Sequence, residues 1–295
     1  MDGWREAIAV IAARHGLPTE GLVRFEGGSD IVWAAGDRVI KLSDPRWGWQ
    51  IEAEADWLVR VDGRIGLQTP RLLAADELEG WPYVVMTRIG GRPLGDYWPD
   101  LPREDRVRLA GDIGRFVRAL HSLDVTDAPR TWAAFWADCE QRAPERDLHD
   151  PRLPEGAEHL AREVPGFLES VGPLEGAPHV ALHTELIDQH LFADLRDGRV
   201  ELSGVLDFAD GRVGPAEYDF PAMGDFVFRG ESGLLRECLQ AYGYRANELT
   251  PELTRRLLAW GLTHRFGLLR RMLLALGPRR PRDLNDLAEL LFGFD

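Results

Sequence analysis

The chain has 295 residues and 44% hydrophobic content, enough for two lobes with packed cores, and its 35 basic and 49 acidic side chains give a net charge of −14. That balance argues against a nucleic-acid surface, which needs clustered positive charge, and no apolar run approaches the roughly 18 to 20 residues of a membrane span. Cys139 and Cys238 stand far apart without metal-ligand spacing, so neither a disulfide framework nor a structural zinc site is expected, and the setting is read as reducing and cytoplasmic.

In chain order, the apolar stretch from Ile8 to Ala13 is short and charge-flanked, like an amphipathic helix. Residues 22–25, 31–35 and 37–42 read as three short strands joined by turns, the first turn carrying Gly27, Gly28, Ser29 and Asp30. A glycine turn between strands lets backbone amides approach phosphates because no side chain intervenes. Asp30 would sit awkwardly near phosphates and is read as a turn residue. The third strand ends in Lys41, the only lysine among 35 basic residues. Lysine offers a compact point charge on a flexible stem, suited to a phosphate oxygen at the end of a narrow approach.

Residues 50–61 follow with helical periodicity and contain Glu52 and Glu54. Kinase-fold enzymes hold their phosphate-binding lysine with a glutamate from the following helix, and Glu54 is the candidate. Glu52 lies about 200° away round the helix and cannot share that face. Residues 81–87 read as a strand leading to Gly90-Gly91; in a two-lobed reading this is the hinge, with Met86, Thr87 and Ile89 offering backbone groups to a nucleotide base.

From residue 100 the pattern becomes helical, over 102–123, 131–142, 155–171, 216–228, 231–243, 251–275 and 283–293, with an exposed loop at 147–156. The expected fold class is α+β: a bilobal, protein-kinase-like fold with a small antiparallel-sheet N-terminal lobe at 1–89 and a larger, mostly helical C-terminal lobe at 90–295. Between them in chemistry stands the segment 180–219. A strand at 180–182 leads into His183-Thr184-Glu185-Leu186-Ile187-Asp188-Gln189-His190, and residues 200–207 form a hairpin return ending in Asp207-Phe208. The kinase template places an acid two residues after a histidine, a metal ligand five residues beyond it, then a hairpin and a second acid. Glu185, His190 and Asp207 hold those places.

This ordered set resembles the aminoglycoside phosphotransferase family, whose loop is usually written H-G-D-x-x-x-x-N, followed by D-F or D-W and a downstream Y-D or Y-E pair, here Tyr218-Asp219. The resemblance runs through Gly27-Gly28-Ser29, Lys41, Glu54, the hinge and Leu120-His121-Ser122-Leu123, and its tone is nearest to hygromycin-type enzymes. It implies an ATP-dependent phosphotransferase, with GTP an alternative donor, that uses Mg2+ to phosphorylate a hydroxyl of a small, cationic, aminoglycoside-like antibiotic. It also implies that Lys41 meets the α and β phosphates, Glu185 orients the acceptor proton, Asp207 and His190 hold the metal, and His183 and Asp219 brace the loop. A monomer or homodimer without nucleic-acid or membrane partners is expected. Asp188, Asp210, Glu217 and Asp225 are the acids expected to receive a cationic acceptor.

Two departures stand out. Glu185 replaces the family aspartate and adds a methylene, so the loop must be adjusted around it or the protein is a nucleotide-binding pseudokinase. His190 replaces the asparagine, and since imidazole is a poor magnesium ligand it is expected to act through water. A metal-dependent hydrolase built on His179, His183, Glu185, Asp188 and His190 is the other reading; it leaves Lys41, Glu54 and Asp207 without work.

Overall fold

The computed structural model describes residues 2–129, 131–174 and 178–294. The chain divides into two compact units, one comprising Met1–Gly91 with Ser203–Gly211, the other Arg92–Leu202 with Arg212–Asp295. The α+β class expected from the sequence, an antiparallel sheet in the first unit and mostly helices in the second, is the class observed.

In the first unit, α1 (Asp2–Arg14) precedes the strands β1 (Val23–Phe25), β2 (Ile31–Ala35) and β3 (Arg38–Leu42), then α2 (Gly48–Val61), β4 (Leu72–Leu78) and β5 (Trp81–Thr87). The five strands form one antiparallel sheet in the order β1-β2-β3-β5-β4. Strand alternation decides which way each side chain of β3 faces. Ile40 and Leu42 enter a core with Ile8, Ile11, Trp33, Tyr83 and Val85. Lys41, between them, takes the opposite face, flanked across the ladder by Val32 and Val84. Strand β4 had no counterpart in the sequence reading; Asp76 and Glu77 interrupt its apolar alternation, and only its pairing with β5 makes it a strand.

Residues 203–211 join this unit although they follow it by more than a hundred positions. The backbone of Gln68 donates to Ser203 and accepts from Val205, at 3.0 and 2.9 Å. Two glycines allow the close approach: a Cβ on Gly204 would lie 2.9 Å from Ile89 Cδ1, and one on Gly211 would lie 2.6 Å from the Trp57 ring. The segment is therefore clamped on either side of Asp207.

The second unit opens with β6 (Arg92–Pro93), α3 (Leu94–Tyr97), α4 (Arg103–His121), α5 (Trp132–Arg146) and α6 (Glu158–Val171). Strands β7 (His179–Leu182), β8 (Leu191–Arg196), β9 (Arg199–Val205) and β10 (Arg212–Pro215) carry the loops of interest. Strands β6, β8 and β9 form one small sheet, and β7 pairs antiparallel with β10. The β8–β9 turn is Asp197-Gly198, both with positive φ (49° and 77°), the geometry of a tight two-residue hairpin.

The expected helix at 216–228 is instead a chain of tight turns: a 3₁₀ turn at Ala216–Asp219, one helical turn, α7 (Phe220–Ala222), and a π turn at Met223–Val227. Helix α8 (Ser232–Tyr242) follows. The expected helix at 251–275 is split into α9 (Pro251–Thr263) and α10 (Leu269–Ala275), before the final α11 (Leu284–Phe292). The split has a cause in another element: the Arg146 guanidinium donates to the carbonyls of Leu262 and His264, the latter at 2.6 Å, supplying the partners a helix end lacks. Gly267, with φ of 59°, then turns the chain. Among the described residues no helix is long and apolar enough to cross a membrane.

Candidate active site

The first unit gathers four charged side chains from four separate segments. Lys41 Nζ lies 2.7 Å from Glu54 Oε2, 2.9 Å from Asp207 Oδ1 and 3.4 Å from Asp30 Oδ2. Glu54 reaches it because Ile51, Glu54, Trp57, Leu58 and Val61 form the buried face of α2, while Glu52 is exposed. Asp207 reaches it from the clamped segment in a left-handed backbone conformation (φ of 69°), uncommon outside glycine.

Burial alone would disfavour the Lys41 ammonium, but Glu54, Asp207 and Asp30 outweigh it and hold the lysine well above its ordinary range. Burial raises Glu54, with Lys41 pulling in the opposite direction. One ammonium among three carboxylates leaves an excess of negative charge. A phosphate placed there is favoured by a further cation, which fits a magnesium held by Asp207, the most exposed of the three at 32%. Magnesium is commonly held by one or two carboxylates together with substrate phosphates, so this donor set suits it.

Gly27 and Gly28 form the exposed turn between β1 and β2, with φ of 99° and 77°, and an added Cβ at either would meet nothing within 4 Å. Ser29 follows, also exposed. Met86 is buried in β5 against Val39 and Leu72. The N–H groups of Thr87 and Arg88 are spent inside the unit, on the carbonyls of Arg71 and Asp37 at 3.0 Å each. The amides of those two residues therefore do not point to a nucleotide. Ile89 is buried over Gly204.

The second unit carries the loop from His183 to His190. Its anchor is Asp219, which is fully buried. Asp219 Oδ2 accepts from the backbone N–H of His183 and from His121 Nε2, each at 3.0 Å, and Oδ1 accepts from the Thr184 N–H at 2.7 Å. Thr184 adopts φ of 73°, in the left-handed region that favours glycine. Its carbonyl accepts from His264 Nε2 at 3.1 Å. His183 Nδ1 accepts the Glu185 N–H at 3.3 Å, and His190 Nδ1 donates to the Glu185 carbonyl at 2.9 Å. In the neutral His190 ring the lone pair is therefore on Nε2. Glu185 itself is half-buried, and its charge favours the guanidinium forms of Arg212 and Arg265, both of which burial pulls down.

Further along, Asp188 Oδ2 accepts from Arg229 at 3.0 Å, and its carbonyl accepts from the Gly95 N–H at 3.1 Å. This corrects one expectation. Of the acids expected to meet a cationic acceptor, Asp188 is paired with Arg229, Glu217 accepts from Arg256 and Trp260, and Asp225 is fully buried. Asp210 belongs with the first unit and accepts from Gln50 at 3.3 Å. They are structural acids rather than an open anionic wall. Among the described residues, no group of three or more His, Cys, Asp or Glu is arranged to hold a metal ion, so the histidine-rich segment offers no hydrolase-type centre.

Three participants carry no signal of their role in the sequence: His121 stands there only within a motif, His264 has no local pattern, and Asp30 has the composition of a turn residue but is an ion-pair partner of Lys41.

A model of the phosphotransferase enzyme family APH matches residues 24–260. Among solved structures, the GDP complex of aminoglycoside 2'-phosphotransferase-IIIa is similar with a TM-score of 0.70 and 16% identity, over 97% of this chain and 95% of that one. The ternary complex of APH(2")-IIa with streptomycin and ATP has a TM-score of 0.62 and 18% identity, over 87% and 88%. Aminoglycoside-3'-phosphotransferase of type VIII has a TM-score of 0.57 and 23% identity, over 87% and 99%. At these identities the likeness to solved structures establishes the fold.

Proposed function

Because the chain belongs to the APH phosphotransferase family and so to enzymes that transfer phosphate to hydroxyl groups, we propose that it moves the γ-phosphoryl group of ATP, in the presence of Mg2+, to an aminoglycoside-like acceptor. The observation that carries the donor half is the Lys41–Glu54–Asp207 constellation, with Lys41 and Glu54 buried. GTP is the alternative donor, since the related structures hold either guanine or adenine nucleotides.

Each residue then has a task. Glu54 keeps Lys41 charged and aimed, so that a single point charge meets the phosphate oxygens. The turn at Gly27, Gly28 and Ser29 covers the phosphates with backbone, and the stretch from Met86 to Ile89 meets the base through carbonyls and the Ile89 amide. Asp207 is the residue to hold Mg2+. The ion, when bound, neutralises charge on the transferring phosphoryl group. Glu185 orients the acceptor hydroxyl and takes its proton, while Asp219, His121 and His264 hold the loop that carries it.

The acceptor class is supported by the kanamycin, gentamicin and streptomycin complexes of the related structures and by the net charge of −14, which favours a cationic ligand. One observation favours a second reading, a nucleotide-binding pseudokinase: Glu185 is one methylene longer than the usual aspartate, and misplacement of about 1 Å can cost on the order of a hundredfold in rate. An acceptor panel assayed by ATP and GTP consumption separates the two. Turnover with an aminoglycoside supports the enzyme; a nucleotide-dependent melting shift without phosphorylated product from any acceptor supports the pseudokinase.

A further inference from the structure

The carboxylates around Lys41 are not equivalent. Glu54 is 1% exposed on the packed face of α2 and lies closest to the ammonium. Asp207 sits in a segment clamped by Gly204 and Gly211. Asp30 makes the longest contact, 3.4 Å, and stands between the open Gly27-Gly28 turn and the first residue of β2. Two residues before it lies Gly28, where nothing would meet even a Cβ. The weakest partner is thus the one on the least packed segment.

Phosphate and carboxylate oxygens both offset the charge of an ammonium at ion-pair distance. We propose that Asp30 is a stand-in for a nucleotide phosphate oxygen on Lys41: it satisfies the buried ammonium before nucleotide binds, and the phosphate displaces it. The proposal rests on the nucleotide reading above. With Glu54 and Asp207 holding the ammonium on the other sides, Asp30 fills the side left for the phosphate and adds to the charge balance of the only lysine of the chain in the absence of ligand. This exchange also makes Asp30 a determinant of selectivity. A ligand must bring an anion able to replace a carboxylate, so a nucleoside without phosphate gains nothing at Lys41, and nucleotide affinity is held below what the lysine alone would give.

The single lysine makes the contact directly observable. In protein labelled with ¹⁵N-lysine, only Lys41 contributes a side-chain ammonium resonance. Asp30→Asn, nearly isosteric, is expected to shift that resonance in the nucleotide-free protein. Glu26→Gln, which removes an equal charge from the same turn at a carboxylate 4.0 Å from Arg24, is expected to leave it in place. Affinities of ADP and GDP without metal, measured by titration calorimetry, are expected to rise at least about fivefold in Asp30→Asn and less than about twofold in Glu26→Gln. Adenosine and guanosine affinities are expected to stay unchanged in both.

An unshifted lysine resonance in Asp30→Asn overturns the proposal. So does diphosphate affinity unaffected by Asp30→Asn, or raised equally by Glu26→Gln or equally for the nucleosides. If neither wild type nor Asp30→Asn binds any nucleotide, with or without Mg2+, the nucleotide reading itself falls and takes the proposal with it.

Discussion

His121 and Asp219, 98 positions apart, meet at 3.0 Å inside the second unit, joining the end of α4 to the loop that carries Glu185. The His121 ring is also fixed on its other side, where Nδ1 accepts from the Tyr242 hydroxyl at 3.1 Å. Since the same Asp219 carboxylate takes the N–H groups of His183 and Thr184, its removal takes a buried acceptor from three donors at once. Asp219→Ala is expected to destabilise the protein by about 3 kcal/mol or more, because each buried unpaired donor costs roughly 1–3 kcal/mol. Urea denaturation measures it, and a loss below about 1 kcal/mol would show that other contacts hold the loop.

Lys41→Arg preserves charge in a chain that uses arginine at every other basic position. At an exposed site it would be silent. Here the ammonium is a point charge within 3.4 Å of three carboxylates, and a planar guanidinium cannot take the same place. The variant is expected to fold and to lose at least about tenfold in turnover, roughly 1.4 kcal/mol of transition-state stabilisation. Wild-type rates with a confirmed acceptor would make the solitary lysine an accident of composition.

Asp207 and Glu185 separate binding from catalysis. Asp207→Asn is expected to weaken metal–nucleotide binding and stop turnover, since a neutral amide does not balance a divalent cation. Glu185→Gln is expected to leave nucleotide affinity near normal while removing most of kcat. Calorimetry and steady-state kinetics on the two variants provide the comparison. Full activity in Glu185→Gln would exclude that residue from the mechanism.

His264 ties stability to pH. Burial lowers its pKa from 6.5 to about 4, with Arg146 and Arg212 adding to the effect while the Thr184 carbonyl and Asp219 oppose it. Its contacts fit the neutral ring: Nε2–H donates to Thr184, and Nδ1 accepts the Phe266 N–H at 3.4 Å. The unfolded chain protonates this ring near 6.5, whereas the folded one resists until about 4. The contribution is therefore whole above pH ~6.5 and is lost as pH falls towards 4, by up to about 3 kcal/mol. His264→Gln should flatten stability between pH 6.5 and 4 relative to wild type. Identical slopes in the two proteins would place the pH dependence elsewhere.

Several parts of this architecture were legible before any fold was known. Period-two alternation set Lys41 against Ile40 and Leu42, and helical periodicity separated Glu54 from Glu52, because both patterns are complete within one element. These are local consequences of backbone geometry and need no partner from elsewhere in the chain.

Other features depend on partners that no local pattern reveals. Asp207 meets Lys41 across 166 positions because Gly204 and Gly211 let the backbone lie against Ile89 and Trp57. Helix α9 stops at Thr263 because Arg146, from α5, takes its terminal carbonyls, although the apolar period of 251–275 runs on. Asp30 is a turn residue by composition and an ion-pair partner by position. In each case the deciding energy is desolvation or hydrogen bonding between groups brought together only by packing, so tertiary structure alone decided them.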